Sequence, residues 1–101
     1  MIESYAVVGK NAHVLDHADV SDNAEVTDNA FVCDYARVWD NAKIIDYAKV
    51  TDRAWVYHDA MLREYTTASG SARVYGKAIL EGDVAISSGW FRDVHWWRDI
   101  P

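Results

Sequence analysis

Hydrophobic residues recur along this chain with a period of six. The run Asp22-Asn23-Ala24-Glu25-Val26-Thr27 is followed directly by Asp28-Asn29-Ala30-Phe31-Val32-Cys33, and the frame holds without insertion or deletion from Ile2 to Ile86. Stepping by six from Ala6 to Val84 meets alanine at 12 of 14 positions, the exceptions being Thr66 and Val84. Two residues further on, the series that starts Val8, Val14, Val20, Val26 and ends Val74, Leu80, Ile86 is wholly apolar. An amphipathic helix repeats every 3.6 residues and a simple strand every two, so a strict six calls for a unit that turns a corner once per repeat. Within it, Ala and Val two apart point to one side of a short strand, and the residue between them points out. The corner falls at the Asp-Asn step, as in Asp22-Asn23, Asp28-Asn29 and Asp40-Asn41. Those side chains bond the local backbone and tolerate left-handed conformations. Gly70, Gly76 and Gly82 serve later corners for the same conformational reason. One hexad buries nothing alone. Successive coils must therefore stack, with strands about 4.8 Å apart around a thin Ala/Val core. The expected fold is all-β, a parallel β-helix of about 14 hexads.

An aliphatic residue followed four positions later by a small one, as in Val26 with Ala30 and Val32 with Ala36, resembles the left-handed parallel β-helices with hexapeptide repeats. The likeness covers residues 2 to 88. It implies a single-stranded, three-sided solenoid with three hexads per coil. The left hand is implied by the resemblance alone, because parallel crossovers are otherwise right-handed. In wording, Ser71-Ala72-Arg73-Val74-Tyr75-Gly76 and Asp22-Asn23-Ala24-Glu25-Val26 are similar to the YdcK-type β-solenoid repeats of bacteria and phages.

Three hexads per coil sort the outward side chains into columns. Asp19, Arg37, Trp55 and Arg73 share one, and Ser21, Trp39, Tyr57 and Tyr75 share the next. Aromatic rings beside arginines are the composition of a protein-recognition hot spot. This face is expected either to bind a partner or to lie under the C-terminal tail. Residues 89–101 leave the repeat and carry three of the five tryptophans. Trp90, Val94 and Trp97 lie at helical spacing with Ser88 as N-cap, which predicts a short helical or irregular cap. Phe91, Trp96 and Trp97 join Trp90 as candidate binding residues on that tail. The chain thus divides into a β-helix over 1–88 and an aromatic tail over 89–101. With Ile2 already in register, the first coil is expected to present unpaired strand edges and to favour self-association.

Composition narrows the function. The net charge of −6 argues against nucleic acid or an anionic membrane as partner and suits a basic one. No run approaches about 18 apolar residues and the N-terminus lacks a signal-peptide pattern, so a cytoplasmic setting is expected. The lone Cys33 excludes an internal disulfide and a cysteine metal cluster. Asp28, Asp46 and Glu64 form one corner column, Asp16, Asp34 and Asp52 a second, and Asp22 with Asp40 a third. Their expected task is turn formation, ahead of mimicry of nucleic acid or Ca²⁺ binding. His13, His17 and His58 fall on different faces and His95 in the tail, which gives no three-histidine zinc site. His58 stands one coil beyond Asp40, where an ion pair is expected ahead of a general base. No metal, cofactor or catalytic residue is assigned. The chain lacks the protruding loop of the acyltransferases that share the fold it resembles. The function expected first is a non-catalytic protein-binding module, of which a small phage or bacterial inhibitor is one form. An oligomer-forming module comes second and a minimal acyltransferase third.

Overall fold

A computed structural model describes residues 6–98, and the side chains of residues 6–97. Sixteen short strands run through it, most of them two residues long, with no helix among the described residues. They assemble into three parallel sheets of six, five and five strands, in each of which neighbours are every third strand of the chain. The chain therefore winds as a β-solenoid of about five turns. Regular pairings join each residue to the one three hexads further on: Val8 faces Val26, Val14 faces Val32, and Val20 faces Val38.

The two apolar series form the core. Alanines from Ala18 to Ala78, at every position of their series but Thr66, are fully buried, as are the aliphatic side chains from Val20 to Leu80. Alanine suits one series because a narrow three-sided tube has no room for a larger group beside each Val or Ile. Thr66 replaces alanine there, and its hydroxyl is buried without a hydrogen-bond partner.

Nine successive corner residues, from Asp16 to Glu64, each contribute a closing side chain. The nine residues Asp16, Asp22, Asp28, Asp34, Asp40, Asp46, Asp52, His58 and Glu64 all take positive φ, between 57° and 61°. Each accepts the backbone N–H of its counterpart in the next coil: Asp16 from Asp34 at 3.3 Å, Asp46 from Glu64 at 3.0 Å, Asp52 from Gly70 at 2.9 Å. The carboxylates stand at left-handed corners as expected, but their bonds reach the next coil, 18 residues on, instead of the local backbone.

The tail departs from the expected helix. Trp90–Arg92 and His95–Arg98 are strands. The first pairs with Arg73–Tyr75 and the second with Ile79–Gly82, and both offsets fall short of three full hexads, since Arg73 faces Trp90 and Ile79 faces His95. The free strand edges of the preceding coil supply more backbone partners than a short isolated helix would satisfy. Trp90, Val94 and Trp97 owe their spacing to two clipped corners and not to a helical period. Ser88 lies in a bend ahead of a strand and caps no helix. Phe91, opposite Val74, nevertheless packs against the end of the core, while Trp96, opposite Leu80, stays 46% exposed with its ring 5.4 Å from that of Phe91.

Candidate functional site

Parallel stacking in register places the matching side chains of successive coils one above another, so outward rings in one column are brought into contact by the backbone itself. Trp39 and Tyr57 stack at 4.5 Å with planes 2° apart, and Tyr57 and Tyr75 at 5.1 Å with planes 5° apart. In the neighbouring column Trp55 meets Trp39 edge-on at 5.4 Å. Trp55 also lies between two guanidinium groups, Arg73 at 4.1 Å and Arg37 at 5.8 Å from its ring centre. Arg73 is fixed there because its Nη1 donates to the carbonyls of Arg53, Ser71 and Ala72 at 2.9, 3.0 and 3.1 Å. It therefore acts as a brace for Trp55, with Nη1 spent on backbone. Arg37, more exposed, is the freer of the two cations.

The described part of the tail, up to residue 98, does not fold back over this face. It continues the winding, and Trp90 registers with Arg73 and meets Tyr75 edge-on at 6.0 Å. Trp90 extends the face by one coil and is 72% exposed. Burial raises the Tyr57 phenol above its ordinary range, with Tyr75 adding to the rise and Arg73 opposing it. The group stays a protonated donor at neutral pH. Arg37, Trp39, Trp55, Tyr57, Arg73, Tyr75 and Trp90 are thus one continuous surface. Phe91 and Trp96 are set apart at the end of the tube, and Trp97, opposite Glu81, projects from a different sheet.

The histidines have ring and backbone partners. His13 packs edge-on against Phe31 and His17 stacks on Tyr35. His95 is paired with Glu81, which also lies 4.0 Å from Arg63. His58 corrects the expectation of an ion pair or base: Asp40 accepts the backbone N–H of His58 at 3.2 Å, while the ring's Nδ1 accepts the N–H of Gly76 at 3.2 Å. The imidazole stands in for a corner carboxylate. Its place after Asp22 and Asp40 in one corner column was the available signal.

Two further groupings follow the same 18-residue spacing, which sets Tyr47 beside Tyr65 and Asp16 beside Asp34. Tyr47 and Tyr65 stack at 5.2 Å in the corner column of Asn11 and Asn29. With Phe31 and Lys49 they line a groove of about 530 Å³. Asp16, Cys33 and Asp34 also converge, their donor atoms all within 4.8 Å of one another. Burial first, then the charges of Asp34, Asp16 and Asp52, push the Cys33 thiol up. At neutral pH it is therefore a thiol and a weak nucleophile. No family model, curated protein or solved structure matches the chain.

Proposed function

We propose that this chain is a non-catalytic protein-binding module that presents the Trp39/Trp55/Tyr57/Tyr75 face, with Arg37 and Trp90 at its margins, to a protein partner. The reading rests on one observation: these rings are already ordered by their own stacking and by the Arg73 brace, and they remain outward-facing. Preordered aromatics bind with little loss of side-chain freedom, which is why such residues dominate hot spots. The acidic charge of the whole favours a basic partner. A small inhibitor of the kind carried by bacteria or phages, working in the cytoplasm, accords with the hexapeptide-repeat and YdcK-type wording of the coils.

The test is capture from the native host by immobilised protein, wild type against Trp39→Ala/Trp55→Ala. Loss of a hot-spot ring should weaken a captured partner by about 30-fold or more, from about 2 kcal/mol per residue, while circular dichroism confirms an intact solenoid. Equal capture by the double variant would remove the reading.

Self-assembly is the second reading, favoured by Val7 and Leu15, exposed in the first described coil, and by Trp90, Trp96 and Trp97 at the other end. The expected edge at Ile2 lies outside the described residues. Light scattering across a concentration series, with and without residues 89–101, separates the two: an oligomer that dissolves on loss of the tail favours assembly.

A further inference from the structure

Of the nine corner residues from Asp16 to Glu64, eight offer a carboxylate to the N–H above them and one offers an imidazole. The exception sits beside the aromatic face. The His58 ring meets Tyr57 edge-on at 4.7 Å and Tyr75 at 5.9 Å. Those two rings are the centre of the stack. One side chain therefore does two things: its Nδ1 holds the Gly76 corner, and its ring braces two half-buried rings of the ladder.

We propose that His58 is a pH-operated latch on the aromatic face, closed when Nδ1 accepts the Gly76 N–H and released when that nitrogen is protonated. The two states exclude one another, because a protonated Nδ1 is a donor and cannot accept from a second donor. Histidine is the side chain whose charge ordinarily changes between about pH 5 and 8, whereas carboxylates ordinarily stay ionised there. Charged groups lie on both sides of the ring, the Asp93 carboxylate beside Gly76 among them. Below the ring lies Asp40, whose Oδ2 already accepts the backbone N–H of His58, and Asp59 is next in the chain. Above it, Lys77 follows Gly76 and donates its backbone N–H to Asp93, which Arg92 also approaches. Tyr57 and Tyr75 flank it. A protonated Nδ1 and the Gly76 N–H are two donors facing one another, so the ring leaves both the Gly76 amide and its place against the two tyrosines. The latch rests on the proposed function for its biological sense, since it would make recognition by the face sensitive to acidification.

Amide hydrogen exchange by NMR on the full chain tests the latch without a partner. Gly70 and Gly82 are internal controls, because their N–H groups make the same corner bond to the carboxylates of Asp52 and Glu64. Between about pH 7.5 and about pH 5.5, the protection of Gly76 relative to Gly70 and Gly82 should fall about fivefold, the equivalent of one neutral hydrogen bond. In His58→Asp, which restores the acceptor of the other corners, the ratio should stay flat. A constant Gly76 ratio in the wild type, or the same fall in His58→Asp, would overturn the latch. Neither result depends on capture by the face, so the two proposals fail separately.

Discussion

The regular coils, from Ala6 to Ile86, and the last one, from Ser87 onward, solve the same backbone problem with opposite means. In the regular coils every pairing spans three full hexads and the interior is alanine and aliphatic side chains, Thr66 apart. Each corner side chain there reaches forward to the N–H of the following coil. The last described coil is built differently. Its pairing offsets shrink, the positions opposite Val74 and Leu80 hold Phe91 and Trp96, and Asp93, at φ 57°, reaches backward so that its Oδ1 accepts the N–H of Lys77 at 2.8 Å. A solenoid can thus alter a coil by enlarging the side chains opposite its core and clipping its corners, without a change of secondary structure. Corner glycines at 70 and 76 coincide with the clipping: a Cβ on Gly70 would lie 2.1 Å from the Ser87 carbonyl oxygen, and one on Gly76 2.3 Å from Asp93 Oδ1.

The largest effect should come from breaking this junction. Gly70→Ala forces a methyl group into backbone that cannot swing away, at a φ of +57°. A loss of about 2–4 kcal/mol is expected in urea unfolding, combining left-handed strain with overpacking. A loss under about 0.5 kcal/mol would mean that the last coil is not seated where it is described.

A smaller change of opposite sign sharpens the contrast from within the regular coils. Thr66→Val keeps the shape of the only polar side chain in the buried core of the described residues and removes its unpartnered hydroxyl. Stability should rise by about 1 kcal/mol in the same assay. A decrease would show that the hydroxyl has a partner, such as ordered water.

The smallest effect concerns pH. The Lys77 backbone N–H, followed by Arg92, holds the Asp93 carboxyl below its ordinary value of 3.8. A depressed pKa in the folded state contributes stability that is present above the unfolded value and lost as pH falls through the folded one. The thermal midpoint of Asp93→Asn should therefore lie below wild type at neutral pH, and the gap should close as pH drops below about 4. A gap that persists in acid would assign the effect to shape and not to charge.

Much of this was legible beforehand, for a physical reason. A period of six with Ala and Val two apart admits one packing solution, and the fixed offset between coils then decides which outward residues are neighbours. The columns Arg37/Trp55/Arg73 and Trp39/Tyr57/Tyr75 followed from that counting. The tail was not legible, because spacing alone does not separate a helix from strands joined by clipped corners. That choice depends on the free edges of Arg73–Tyr75 and Ile79–Gly82, which exist only once the coils are stacked.

The sequence by itself determined the repeat, the inward and outward alternation, the corners and the membership of the aromatic face, because each depends on local chemistry repeated at constant spacing. Only the tertiary structure decided that Arg73 braces Trp55 through three backbone carbonyls, that His58 presents Nδ1 to Gly76, and that Phe91 packs against the end of the core. Those facts depend on side-chain direction and on breaks in the period, where residues remote along the chain set each other's positions and no constant spacing remains to be read.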